Sequence, residues 1–261
     1  MTRTEAVTPG EVLGRLLRAA GDDLVLVGGQ ALAFWVQRYG LVLPADVVAV
    51  SADTDFLAPS TAARAAVLRM AAALQGQAQF PSRRALTALV GQACLDIGDD
   101  EFINVDVVFR VIGLTQDAVR KRAVRVEVDD VIFAVMHPLD VLRSRLANLH
   151  RLVEKQNPKG VMQLALAIDA AREFLRDEAG KLPSQKTRGR HPLQPFVSEI
   201  ERLAREDAGR KVARRFGLHV ADAIDASLIP AGPFWQRKWP ELAPLMSPPY
   251  AARFSPPAIA S

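Results

Sequence analysis

Ser51-Ala-Asp-Thr-Asp-Phe-Leu57 is the stretch on which the fold turns. Two acids two residues apart usually sit in a solvated turn. Here Val47, Val48 and Val50 precede them and Phe56 and Leu57 follow, so the pattern predicts a strand over about 47–57. Side chains at i and i+2 of a strand share a face, which would put the Asp53 and Asp55 carboxylates together. Upstream, Gly28-Gly29 ends the apolar run 24–27. Downstream, Ile103-Asn-Val-Asp-Val-Val-Phe109 carries Asp106 inside a second strand-like run, where an unpaired charge is costly to bury. If an adjacent strand brings Asp106 to the same face, three hard oxygen donors surround a site suited to Mg²⁺ and to two-metal phosphoryl chemistry.

Around this stretch the periodicity alternates between helix and strand. Thr8-Pro-Gly-Glu11 reads as a capping box with Pro at the first helical position, opening a helix to about residue 20. After the glycines, 31–39 reads as a helix whose N-terminal N–H groups face the end of strand 24–27, a place that favours phosphate. A helix is expected over 61–75, strands over 86–97 and 102–111 joined by Gly98-Asp-Asp100, and a short helix over 115–122. A second hairpin is expected at 124–128 and 131–135 through Asp129-Asp130. From Pro138 the pattern becomes helical, with a core stripe Leu139, Leu142, Leu146, Leu149 and Val153. Asn157-Pro158 ends that helix; 161–175 and 196–217 are the next two, with an exposed linker over 180–195. Eight of the 17 prolines fall in the last 32 residues, so the tail reads as extended, packing through Phe234, Trp235 and Trp239, or partly disordered. The expected organisation is an α/β domain over 1–135, a helical domain over 136–228 and a Pro-rich extended tail over 229–261.

Composition excludes several classes of function. The single Cys94 rules out an internal disulfide and a cysteine-built zinc site. His137, His150, His191 and His219 have no metal-ligand spacing among themselves, and His137, before Pro138, reads as structural. Phe34 and Trp35 read as core. No apolar run reaches the roughly 18–20 residues that span a bilayer, and the N-terminus lacks the order of a signal peptide, so the chain reads as cytoplasmic, with no membrane partner. Net charge is 33 − 29 = +4, yet 181–215 holds ten Lys or Arg against four acids. That segment is either a solvated helix face or a contact for nucleic acid.

Val27-Gly-Gly-Gln-Ala-Leu32, Asp53-Thr-Asp-Phe-Leu57 and Val105-Asp-Val107 together resemble the signature of the nucleotidyltransferase (DNA polymerase β-like) superfamily. The resemblance covers about residues 20–175 and is nearest to the bacterial AbiEii-type group. It implies an α+β fold, a nucleotidyltransferase-type mixed sheet with flanking helices followed by a helical C-terminal domain. It also implies a Mg²⁺-dependent enzyme in which Asp53, Asp55 and Asp106 are the catalytic and metal-binding carboxylates. On the residues themselves, Gly28 and Gly29 read either as a cradle for the triphosphate or as a plain strand-to-helix turn, and Gln30 either as a hydrogen-bond partner of the ligand or as a structural residue. Ser51 stands where related sequences often have Ser or Thr, either touching phosphate or satisfying a backbone group. Arg145 stands where relatives carry a functional Lys; with Asn148 and Lys155 it would line one side of the helix from Pro138 and clamp phosphates across a cleft between the two halves. A surface ion-pair role for these basic residues is the other reading. The chain departs from the pattern in its long 29–53 stretch, containing Pro44, and in Gln163, where relatives carry an acid.

The expected function is therefore transfer of a nucleoside monophosphate from an NTP to an acceptor: an RNA end such as that of tRNA, a protein side chain or a small molecule. The resemblance adds a toxin role with an antitoxin partner. The alternative is a catalytically weak NTP-binding or interaction module on the same fold.

Overall fold

Val25, Leu26 and Val27 are all buried, and a strand buried on both faces has to lie inside a sheet. The computed structural model describes residues 3–45, 50–59, 61–82, 84–98, 100–182, 191–230 and 232–255. Within these, the chain forms two compact units, Met1–Ser144 and Arg145–Ser261. The first is α+β and holds an open mixed sheet; the second is helical. No helix among the described residues is long and apolar enough to cross a membrane.

In the first unit the elements run β1 (Thr4–Glu5), α1 (Gly10–Ala20), β2 (Val25–Val27), α2 (Gly28–Arg38), β3 (Thr54–Leu57), α3 (Ala63–Leu74) and β4 (Gln77–Gln79). They continue through β5 (Leu89–Asp96), β6 (Glu101–Val108), α4 (Gln116–Arg122), β7 (Val124–Val128), β8 (Val131–Val135) and the start of α5 (Pro138–Arg151). The sheet order is β4-β5-β6-β3-β2-β8-β7, with β1 added in parallel to the first residues of β6. β3 is parallel to β6 and antiparallel to β2, and β2 is parallel to β8. Strand alternation separates two faces. Ile103, Val105 and Val107 of β6 are buried on the side where α3 packs; Val67 lies against Gly91, itself paired with Val107. Asn104 and Asp106 point the other way, beside Gln92 and Cys94 of β5. The apolar neighbours that make Asp106 look deeply buried in sequence are thus on the opposite face, and Asp106 itself is half-buried.

The β7–β8 hairpin forms as its Asp129-Asp130 turn requires: φ is +47° and +62° at these residues, a left-handed pair that matches the twist of the strands. Other expectations shift. α1 begins at Gly10 after Pro9, but Thr8 does not cap it; its hydroxyl bonds Ala52 O at 3.2 Å and meets the Thr54 hydroxyl at 3.1 Å. α2 begins at Gly28, so both glycines belong to its first turn. The strand expected over 47–57 is four residues long, and Asp53 lies in the bend before it. Val47 and Val48 lie outside the described residues, as do Asp99 in the turn before β6 and 183–190 of the expected linker.

The second unit carries the rest of α5, then α6 (Pro158–Gly180), α7 (Gln194–Arg205) and α8 (Asp207–Phe216). α5 ends at Arg151, and Val153 falls on the following 3₁₀ turn, 81% exposed rather than in the core stripe. Asn157 starts α6, its side chain accepting the Gly160 N–H at 2.9 Å with Pro158 in the first turn. The single helix expected over 196–217 is two, because Glu206 is extended (ψ 158°). Residues 232–255 are not an extended tail, while 231 and 256–261 of the expected tail lie outside the described residues. Short helical turns cover 234–245 and 248–251, with prolines in the first turn of several, where a missing N–H costs nothing. Trp235, Leu242, Met246 and Tyr250 are buried there, and Trp235 Nε1 donates to Ile229 O at 3.0 Å.

Candidate functional site

Asp55 and Asp106 are register partners on the parallel strands β3 and β6. Adjacent strands run about 4.8 Å apart, so the two carboxylates leave neighbouring backbones on one face. Val27, the last residue of β2, is the partner of Asp55 on its other side. Three strands therefore deliver the end of β2, Asp55 and Asp106 in one row.

The glycines are shaped to that row. Gly28 has φ +67°, and a β-carbon there would lie 1.7 Å from Asp55 Oδ2. A β-carbon on Gly29 would lie 2.1 Å from Ser51 Oγ. Any side chain at these positions would displace Asp55 and Ser51 from the first turn of α2. Val27, the N-cap of α2, contributes no side-chain cap, and the Asp55 carboxylate lies against Gly28 in the first turn of that helix.

Asp53 joins the group by a different route from the one expected. It precedes the strand, so the i, i+2 rule does not orient it; the Ser51 hydroxyl, at 2.5 Å from Asp53 Oδ1, does. Ser51 is buried and holds the loop from both ends, since Gln30 Nε2 donates to Ser51 O at 3.4 Å. Gln30, expected to face a ligand, thus supports the Ser51 loop. A cavity of about 320 Å³ lies beside Gln30 and Ser51, walled by Ala33, Val36, Leu41 and Val50, and none of the three aspartates lines it.

Asp106 is the electrostatically costly member. Burial pushes its carboxyl above the usual aspartate range; hydrogen bonds from Gln92 and Asn104 oppose that, and the nearby Asp53 charge adds to it. Gln92 Nε2 and Asn104 Nδ2 both donate to Asp106 Oδ1, at 3.0 and 2.8 Å. Those two amides are site residues the sequence reading missed. Asn104 was accessible, two residues before Asp106 on the same face; Gln92 needed the β5–β6 register. Cys94 Sγ donates in turn to Asn104 Oδ1 at 3.5 Å, and burial raises the thiol pKa, so the residue acts as a weak protonated donor.

Arg145 and Lys155 belong to the second unit. Arg145 is buried and its Nη1 donates to Gln163 Oε1 at 3.2 Å, tying α5 to α6. Lys155 is exposed on the 3₁₀ turn after α5, so it does not share a helix side with Arg145 and Asn148. The helix stops too early for that alignment.

The donor set suits Mg²⁺ in kind, three carboxylates and no soft ligand, and the adverse charge at Asp106 is of the sign a divalent cation reverses. Among the described residues no three acidic, imidazole or thiol groups stand close enough to form a ready-made chelate. Comparison with protein-family models and with curated proteins finds no match to this chain.

Proposed function

We propose that the chain is a nucleotidyltransferase, moving a nucleoside monophosphate from an NTP to an acceptor at the Asp53–Asp55–Asp106 row. The observation that carries this is the register of Asp55 with Asp106, beside a glycine pair fitted against Asp55 and Ser51. Asp53, Asp55 and Asp106 would hold Mg²⁺, which when bound neutralises the triphosphate and favours departure of pyrophosphate. The first N–H groups of α2 bind phosphate oxygens, and the absent β-carbons of Gly28 and Gly29 allow that close approach. Asp106 Oδ1 is occupied by two amide donors, so Oδ2 is the atom left to help generate the attacking oxyanion, either as general base taking the acceptor's proton or as the oxygen that would hold the metal. The acceptor oxygen then bonds the α-phosphorus as its bond to the bridging oxygen breaks and pyrophosphate leaves.

For the acceptor, α8 favours a polyanion. His150, Lys211, Arg214 and Arg215 line a cavity of about 360 Å³, and among the described residues Arg214 and Arg215 have no acidic partner. RNA is the acceptor this basic face fits best; a toxin role with an antitoxin partner follows from the sequence resemblance alone.

Incubation with Mg²⁺, each α-labelled NTP and RNA or lysate acceptors should give label transfer with matching pyrophosphate release. Asp55→Asn or Asp106→Asn should abolish both while the proteins stay folded. The second reading, an NTP-binding or interaction module, draws on Gln163, where related sequences carry an acid, and on the long 29–53 stretch. NTP binding with no pyrophosphate released to any acceptor would decide for it.

A further inference from the structure

β7 closes one end of the sheet, and among the described residues no strand or loop backbone pairs with its outer edge. A two-residue turn such as Asp129-Asp130 is closed by a hydrogen-bonded pair, here Val128 with Val131. Antiparallel ladders alternate, so Val124, Val126 and Val128 bond inward to β8. The N–H and C=O groups of Arg125 and Glu127 therefore point outward.

The strand reads Val124-Arg-Val-Glu-Val128, symmetric about Val126 except that its two charges are opposite. We infer that β7 is a self-complementary edge on which a second copy of this chain docks antiparallel, with Val126 facing Val126 across a two-fold axis. In that register Arg125 of each copy lies opposite Glu127 of the other, and their outward backbone groups form the hydrogen-bonded pairs. Val128, 42% exposed at the end of the strand, comes opposite Val124 on the face where Val126 is buried.

Charge selects this register over its neighbours. Outward groups can meet only outward groups, so the pairing slides in steps of two residues on the opposing sum. One step either way sets Arg125 against Arg125 or Glu127 against Glu127, and like charges directly opposite are destabilising. Both side chains are exposed. Among the described residues Glu127 has no ion-pair partner, and Arg125 meets only Asp22, at 3.0 Å in a pair that is 63% and 75% exposed. Replacing one exposed pair by another costs little. Ile132 of β8, 45% exposed and paired with Glu127, offers an apolar neighbour along the seam. A five-residue seam is short, so the association is weak and concentration-dependent.

Sedimentation equilibrium on the full chain, as a dilution series, tests this. Wild type should show a monomer–dimer equilibrium. Arg125→Glu alone and Glu127→Arg alone should each weaken it at least tenfold, and the two together should restore it, because the swapped charges again face opposites. Thermal unfolding of each variant checks that the hairpin is intact. A wild type monomeric up to roughly 1 mM, where binding free energy falls to about the weakest specific contacts, overturns the inference. So does a dimer that ignores the single reversals, or one that the double swap does not rescue.

Discussion

Asp106 shows at the scale of one residue how a site can cost stability. Its pKa is higher in the folded chain than in the unfolded one, chiefly through burial, so folding binds this proton more tightly. The stabilisation tied to that proton exists at low pH and is lost as pH rises from the unfolded value through the raised folded value. At neutral pH the charged carboxylate is therefore a net burden. Asp106→Asn keeps an oxygen for Gln92 and Asn104 and removes the charge beside Asp53. Its melting temperature at pH 7 should exceed that of wild type, and the gain should vanish in acid. A variant that melts lower at pH 7 would mean the two amides, rather than burial and Asp53, set the balance. Asp55 was legible beside this residue because apolar neighbours flank it; Gln92 was not, since its role depends on a partner 14 positions away.

At the scale of the element, α5 is started by a histidine whose neutrality matters. His137 Nδ1 accepts the Leu139 N–H at 3.1 Å, and burial, with the Arg122 charge adding to it, lowers its pKa to about 3. A pKa depressed from 6.5 in the folded state means the contribution is whole above pH 6.5 and drains away as pH falls toward 3. The loss is up to about 1.4 kcal/mol per pH unit in that window. Asn157 performs the same capping before Pro158 with a side chain that does not titrate. His137→Asn should thus keep the cap and flatten the decline in stability between pH 6.5 and 4, measured by urea unfolding. Parallel pH profiles for variant and wild type would show that another group carries the acid sensitivity. The structural role of His137 was readable from its place before Pro138; its burial was not.

Across the whole molecule, charge is concentrated rather than large. The excess of six in 181–215 exceeds the net +4, leaving the remainder at −2. Arg188 and Arg190 of that segment lie outside the described residues, while Arg210, Lys211, Arg214 and Arg215 all fall on α8. If α8 holds RNA, each phosphate contact adds about 0.7–0.9 to the slope of log affinity against log salt. Replacing those four by Ala should reduce the slope by up to about three while NTP binding barely changes. An unchanged slope would return α8 to a solvated face and point to a protein or small-molecule acceptor.

Local patterns in the sequence determined most of the elements by themselves: the β7–β8 hairpin through Asp129-Asp130, the strand bearing Asp106, α5 from Pro138 and α6 after Asn157-Pro158, and the glycine pair between strand and helix. These rest on turn chemistry and periodicity, which act within a few residues. Tertiary structure alone decided the rest. It paired Asp55 with Asp106 across 51 positions, placed Gln92 and Asn104 on one oxygen, left Asp53 to Ser51 rather than to a strand, and folded the Pro-rich tail into buried turns. The physical reason is that register and burial belong to pairs of distant segments. A strand knows from its own residues which side chains share a face, but only its neighbour determines what they meet there.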